Sequence, residues 1–153
     1  MFVVFATVHS NDAPRTVDRL VELGVERHSL AAALTAVVAQ RLVRTLCREC
    51  RRPEPIPADL RATFPAATIS WFVPEGCPAC AGSGYAGRTG VFEVLEADDR
   101  IREAIAAGVS SISLAHLAAE HGHRSLFVDA AAKVAAGTTS FREVERVVGW
   151  WVR

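Results

Sequence analysis

Four cysteines are the residues of this sequence best suited to chemistry, and they form two Cys-x-x-Cys pairs, Cys47 with Cys50 and Cys77 with Cys80. The chain contains no other cysteine. Four thiolates at the corners of a tetrahedron suit Zn²⁺, whose filled d shell imposes no competing geometry. Because such a set leaves no coordination position for water or substrate, the predicted zinc is structural. The alternative is a group of free buried thiols or two redox-active dithiols.

Composition excludes several classes of protein. The 153 residues include 17 basic and 17 acidic side chains, so no chain-wide basic field attracts nucleic acid or an anionic membrane. Half of the residues are hydrophobic, which argues against disorder. No apolar run reaches the roughly 20 residues of a membrane span, and the opening segment lacks the basic start and small-residue cleavage site of a signal peptide.

The elements that would position the cysteines divide the chain into three predicted parts. Residues 1–46 are predicted as a strand and two helices. The strand is the apolar opening segment, the first helix starts at the capping residues Ser10–Asp12, and the second, longer helix runs to about Leu46. Its apolar positions at three-to-four spacing are Leu30, Leu34, Val37, Val38 and Leu42.

The rest of the chain is predicted as a metal-stabilised module, residues 47–95, followed by a helical part, residues 96–153. Six prolines and several glycines interrupt the module, which leaves room for short strands at 69–73 and 88–95. With so little core, the module depends on its metal for stability. Glycines separate the later helices, and Ser140 with Glu143 forms the capping box of the last one.

Four segments, in order and covering nearly the whole chain, resemble the ATPases that power type II secretion and type IV pilus assembly. Residues 7–13, Thr-Val-His-Ser-Asn-Asp-Ala, are similar to that family's histidine box. Residues 39–47 resemble its Ala-Gln-Arg-Leu-Val-Arg-x-Leu-Cys segment. Residues 84–93 resemble the Gly-Tyr-x-Gly-Arg-x-Gly-x-x-Glu run that follows the second cysteine pair, and residues 137–144 resemble the final capped helix.

The resemblance implies a nucleotide role for four residues. His9, at the carboxyl end of the predicted strand, would reach the γ-phosphate of ATP or a water on it, as open α/β sheets bring such residues to their ligands. Gln40, Arg41 and Arg44 would lie near the nucleotide or at a subunit interface, where a guanidinium suits phosphate. The alternatives are a locally satisfied strand-end histidine and a solvated helix face.

One element of such an ATPase does not occur in the sequence. No Gly-x-x-x-x-Gly-Lys-[Ser/Thr] loop is found, and the single lysine, Lys133, falls in an alanine-rich helix. The resemblance therefore implies an α/β chain, the C-terminal fragment of a RecA-like P-loop ATPase domain followed by the zinc module and the helical subdomain. ATP and Mg²⁺ would bind only in the complete enzyme, and the fragment alone is expected to be inactive.

The resemblance also implies partners and a location. In the full-length family a hexameric ring of ATPase subunits acts on an inner-membrane platform protein, so the expected location is cytoplasmic and peripheral at the inner membrane. No nucleic-acid partner is expected. The main alternative is a non-catalytic zinc-binding interaction module, either a remnant or a split subunit. A zinc repeat of J-domain co-chaperones and a nucleic-acid-binding ribbon are weaker alternatives, because the former needs four repeats and the latter a basic surface.

Two further expectations concern charged side chains near the module. Arg88 and Glu93 flank the predicted strand and are expected to form an ion pair that fixes it against the helices. His116, His121 and His123 lie around one helix end and are expected at the surface, since four cysteines already complete a tetrahedral site.

Overall fold

A computed structural model describes residues 3–57, 60 and 71–149. The helices are α1 (Ala13–Glu22), α2 (Arg27–Ala33), α3 (Asp99–Ala107), α4 (Ser111–Glu120), α5 (Leu126–Ala135) and α6 (Phe141–Val147). The strands are β1 (Ala36–Leu46), β2 (Arg52–Pro53), β3 (Phe72–Val73) and β4 (Tyr85–Glu96). Strand β1 pairs with β4, and β2 pairs antiparallel with β3. In these described ranges, no helix is both long enough and apolar enough to cross a membrane.

The chain forms two compact units, and each strand of the longer sheet contributes to both. The first unit comprises the described residues of Met1–Ala39 and Glu93–Ser125. The second comprises those of Gln40–Phe92 and Leu126–Arg153. The four cysteines therefore all belong to the second unit.

The first unit contains helices α1–α4 together with residues 36–39 of β1 and 93–96 of β4, and these elements share one hydrophobic core. Asp12 caps the start of helix α1, because its carboxylate accepts the Arg15 N–H at 2.8 Å, and Pro14 lies in the first turn, where proline is favoured. Gly108, at φ +76°, ends α3. The buried core side chains include Val17, Leu30, Val37, Leu95, Ile101, Ile105 and Leu114. Burying each of these contributes about 1.5–3 kcal/mol to folding.

The second unit packs α5 and α6 against its own parts of the strands. Its fully buried side chains include Val43, Leu46, Val91, Val134 and Val144. The rings of Trp71 and Phe141 stack with their centroids 5.5 Å apart. The Tyr85 hydroxyl and the Ser140 hydroxyl are 2.6 Å apart, which connects the start of β4 to the N-cap of α6. This unit is therefore held together by both apolar and polar contacts.

The α/β class is confirmed, and most of the predicted elements are present. Helices α1 and α3–α6 lie where the capping and glycine signals place them. The strand predicted at 88–95 is β4, and the described end of the strand predicted at 69–73 is β3; residues 69 and 70 lie outside the described residues. Helices α1, α3, α4 and α6 carry strong local signals, because each has a capping side chain at its start and a glycine shortly after its end.

The predicted opening strand is wrong for the residues that the structure describes. Residues 3–10 form neither helix nor strand, and the Phe5 side chain is 94% exposed. A strand of a parallel sheet needs neighbouring strands to satisfy its backbone groups. The strand pairs of the described chain are β1 with β4 and β2 with β3, so this apolar segment has no sheet to join there.

The predicted long second helix is also wrong. Helix α2 ends at Ala33, and the residues assigned to the rest of the helix form β1. Exposed Val38 and Leu42 alternate with buried Val37 and Val43, which is the period of two that a strand requires. The valines of this segment and Thr45 favour a strand, and pairing with β4 outweighs the helical spacing of its leucines and alanines.

Candidate metal centre

Two tight turns, each carrying one cysteine pair, place the four cysteine side chains next to one another. Cys47 directly follows β1, and its carbonyl accepts the Arg51 N–H at 3.0 Å, which closes the first turn around Cys50. Cys77 precedes a single 3₁₀ turn, Pro78–Cys80, and its carbonyl accepts the Gly82 N–H at 2.9 Å. Each turn thus brings two sulfurs to the same side of the backbone, as the Cys-x-x-Cys spacing predicts.

The sulfur atoms have the spacing of a tetrahedral metal site. All four lie within 4.8 Å of one another. The Sγ–Sγ distances are 3.9 Å for Cys47 and Cys77, 3.8 Å for Cys50 and Cys80, and 3.7 Å for Cys77 and Cys80. Four sulfurs at about 2.3 Å from a central zinc would be about 3.8 Å apart. Disulfide sulfurs are about 2 Å apart, so these cysteines are free thiols, and they lie close enough together to be able to bind one metal ion.

Backbone N–H groups aim at two of the sulfurs. Cys80 Sγ accepts the N–H groups of Cys77 and Gly84, both at 3.2 Å, and Cys50 Sγ accepts that of Gly76 at 3.3 Å. The Cys77 N–H, with help from that of Gly84, lowers the pKa of Cys80 to about 6. Burial instead raises the pKa of Cys50 to about 12. Four neighbouring thiolates repel one another, so a bound cation is what would let all four ionise together.

Two glycines permit the close approach of the chain segments around the site. A Cβ atom on Gly76 would lie 2.5 Å from the carbonyl oxygen of Gly82, and one on Gly84 would lie 2.4 Å from the Cβ of Pro74. Both glycines also have positive φ, at +106° and +75°. The turn around Cys77 and Cys80 therefore requires glycine at these positions for space as well as for conformation.

The first cysteine pair is connected to the turn between α5 and α6. The Arg51 guanidinium donates to the Gly137 carbonyl at 2.6 Å and lies over the Phe72 ring, 4.5 Å from its centroid. The Leu46 N–H donates to the Thr138 carbonyl at 2.9 Å. The candidate metal site is thereby connected to α5 and α6 of its own unit by contacts that do not involve the cysteine side chains.

The structure does not bring the residues predicted for a nucleotide site together on one element. His9 is exposed and lies in the irregular segment before α1, in the first unit, and not at the end of a strand. Gln40, Arg41 and Arg44 lie in the second unit on β1, not on a helix. Because side chains alternate along a strand, Arg41 projects from the face opposite to Gln40 and Arg44. The proposed roles of these residues stay predictions.

Arg44 is the most highly connected of these residues. Its guanidinium lies 2.6 Å from Glu143 Oε2, its backbone N–H donates to Glu143 Oε1 at 3.1 Å, and it covers the Tyr85 ring at 4.0 Å. Arg146 donates to the same carboxylate at 2.7 Å. Burial alone would raise the pKa of Glu143, but the hydrogen bonds from Arg146 and Arg44 lower it to about 2.

Sequence reasoning missed the role of Glu143. The Ser140 hydroxyl does accept the Glu143 N–H at 3.2 Å, as the predicted capping box requires. The Glu143 carboxylate, however, reaches across to Arg44 on β1. The Ser-x-x-Glu signal locates the helix start but says nothing about a partner almost a hundred residues away.

Two further expectations about charged residues are wrong. Glu93 pairs with His123, at 2.8 Å, rather than with Arg88. The His123 side chain is only 7% exposed and is therefore not a surface residue, whereas His116 and His121 are exposed as expected. Glu93 and His123 both belong to the first unit, and the segment after α4 brings the imidazole to the carboxylate.

Comparisons with known proteins agree with the resemblance. The family model described as Type II/IV secretion system protein matches residues 2–146. The type II secretion system protein E of Dickeya dadantii is 40% identical over 146 residues, which are 95% of this chain and 29% of that protein. The type IV pilus assembly ATPase PilB of Thermus thermophilus is 39% identical over 149 residues, 93% of this chain and 16% of that protein.

A third relative has a similar overlap. The protein transport protein HofB homolog of Escherichia coli is 40% identical over 148 residues, 96% of this chain and 32% of that protein. The chain thus spans less than one third of the length of each of these three relatives.

Proposed function

This chain belongs to the type II/IV secretion system protein family, and from that membership we propose that it is one portion of an ATPase that drives protein secretion or pilus assembly. The observation that carries the proposal is the match of nearly the whole chain to proteins named for secretion and for pilus assembly, one of them an ATPase. In such an assembly the chain would act in a hexameric ring of ATPase subunits on an inner-membrane platform protein. It would work at the cytoplasmic side of that membrane.

Within this portion, the tetracysteine site would hold one structural zinc ion. Cys47, Cys50, Cys77 and Cys80 are the ligands, and the support is their sulfur spacing together with the N–H groups directed at Cys50 and Cys80. Bound zinc would supply a fourfold cross-link with no open position for a substrate. The cross-link would also hold the turn before α6 in place, because Arg51 and Leu46 form hydrogen bonds between the site and that turn.

The nucleotide-linked residues would act only together with a phosphate-binding loop. The chain has no Gly-x-x-x-x-Gly-Lys-[Ser/Thr] sequence, so ATP and Mg²⁺ would be held by another segment or polypeptide of the complete enzyme. His9 is exposed and would be free to approach a nucleotide there. Gln40 and Arg41 would be further contacts, and Arg44 would reach a phosphate only within its ion pair with Glu143.

The test combines the purified chain with a family ATPase polypeptide that keeps its phosphate-binding loop but lacks the portion equivalent to this chain. Alone, this chain should release no phosphate from Mg²⁺-ATP above a buffer blank. The mixture should hydrolyse ATP, and His9→Ala should abolish the gain, while His28→Ala on the exposed surface of α2 should not. Binding between the two polypeptides without any gain in hydrolysis would instead favour the second candidate, a non-catalytic zinc-binding interaction module. The observation behind that candidate is a well-formed metal site in a chain without a phosphate loop.

A further inference from the structure

His123 and Glu93 form a buried pair in the first unit. His123 lies in the segment between α4 and α5, and Glu93 lies on β4. The imidazole Nε2 is 2.8 Å from Glu93 Oε1, and Nδ1 is 2.9 Å from the carbonyl oxygen of Val94. The two side chains are only 7% and 3% exposed. Water is therefore a poor substitute for either partner.

The environment of the imidazole indicates that it is protonated. A carbonyl oxygen and an ionised carboxylate both accept hydrogen bonds, whereas a neutral imidazole has only one N–H to donate. Both ring nitrogens of His123 can be satisfied by these acceptors only in the imidazolium form. The same carboxylate also contacts α1, because Glu93 Oε2 accepts the Ala13 N–H at 3.1 Å in the first turn of that helix.

The partners of the imidazole favour the same protonation state. The hydrogen bond with Glu93 raises the pKa of His123 against the opposing effect of burial, and the Val94 carbonyl and the Asp12 carboxylate add to the rise. Other titratable or charged groups face the same region from β4, from the start of α3 and from the residue after α4. They are Glu96, Asp98 and His121, which line a cavity of about 180 Å³ shared with His123, and Arg100, which contacts His121.

We propose that the His123–Glu93 pair is a pH-sensitive contact that holds the start of α1 on β4. While His123 is charged, it neutralises the buried carboxylate that accepts the Ala13 N–H. When His123 loses its proton, the hydrogen bond to Glu93 or that to Val94 is lost, and a buried carboxylate is left without its counter-charge. The first turn of α1, and with it the adjoining His9–Asp12 segment, should then open more often.

The direction with pH follows from the raised pKa of His123. The stabilisation is fully present below the unfolded-state pKa of 6.5 and is lost as the pH rises through the higher pKa of the folded chain. Each unit by which the folded pKa exceeds the unfolded one corresponds to about a tenfold change in the opening equilibrium. The contact should therefore be closed at pH 6 and weakened at pH 9.

The test uses nuclear magnetic resonance of the whole chain. At pH 6 both ring nitrogens of His123 should carry a proton, and the ring should titrate above 6.5. Protection of the Ala13 amide against hydrogen exchange, corrected for the intrinsic rate, should fall between pH 6 and pH 9. The size of the fall should match the shift in the His123 pKa. In Glu93→Gln the His123 pKa should return towards 6.5, and in His123→Gln the Ala13 protection should no longer change with pH.

His116→Gln, which alters an exposed histidine on α4, should leave the Ala13 profile unchanged. If Glu93→Gln does not fold, the comparison of Ala13 protection between the unmodified chain and His123→Gln tests the proposal by itself. A ring that carries one proton at pH 6, or Ala13 protection in the unmodified chain that does not change with pH, would overturn the proposal.

Discussion

The Arg44 guanidinium and the Glu143 carboxylate are joined at 2.6 Å, and the carboxylate is completely buried. Glu143 also accepts the backbone N–H of Arg44 and a hydrogen bond from Arg146. One carboxylate thus binds both the side chain and the main chain of β1 to the first turn of α6. This pair connects a residue proposed for nucleotide contact to the helical end of its unit.

Glu143→Gln should lower the free energy of unfolding by about 2 kcal/mol, because a charge-assisted set of hydrogen bonds becomes a weaker neutral one. Urea unfolding measures this change. Glu145→Gln, on the exposed side of the same helix, is the matched control and should change stability by less than about 0.5 kcal/mol. Equal effects of the two substitutions would contradict a stabilising role for the Arg44–Glu143 pair.

The contribution of Glu143 should depend on acid pH. Its pKa is lowered to about 2 in the folded chain from an ordinary value of 4.5, so its stabilisation is present above pH 4.5 and is lost as the pH falls towards 2. The stability difference between the unmodified chain and Glu143→Gln should therefore be constant from pH 5 to pH 7 and shrink below pH 4.5. A difference that stays the same down to pH 3 would show that the carboxylate is not ionised as described.

Protein purified without added metal should contain close to one zinc per chain, because four thiolates at tetrahedral spacing form one closed site. Cys77→Ser should remove the ion and speed hydrogen exchange in the described parts of 47–93. The helices of the first unit should keep more of their protection. Ala86→Ser, at an exposed position of β4, tests for non-specific effects. Four freely titratable thiols in the native chain and no bound metal would rule out the site.

Gly84→Ala should weaken metal binding much more than Gly87→Ala. Both glycines have positive φ, +75° and +80°, so alanine carries a similar conformational cost of about 1 kcal/mol at either position. Only at Gly84 does the added Cβ meet another atom, 2.4 Å from Pro74 Cβ, whereas nothing lies within 4 Å at Gly87. Zinc affinity measured by competition with a chelator compares the two. Equal zinc affinities of the two variants would show that the close approach of Pro74 to Gly84 is not needed for metal binding.

Much of the local structure of this protein is determined by short stretches of its sequence. The two Cys-x-x-Cys pairs predict one metal centre, since each pair needs only a tight turn to aim two sulfurs the same way. Asp12 and Ser140 each accept an N–H of the first helical turn, as their positions predict. These features depend on neighbours within a few residues, and they can therefore be predicted without knowledge of the tertiary structure.

Tertiary structure decided the features that depend on distant partners. The segment Ala36–Leu46 has helical spacing of its leucines, yet it is a strand because β4 supplies its hydrogen bonds. Glu93 and Glu143 each look like half of a local pair, but their partners are His123 and Arg44, brought close only by folding. A buried carboxylate requires a counter-charge. Which cationic side chain lies beside it depends on how distant segments of the chain pack together, and the spacing of residues near the carboxylate does not predict this.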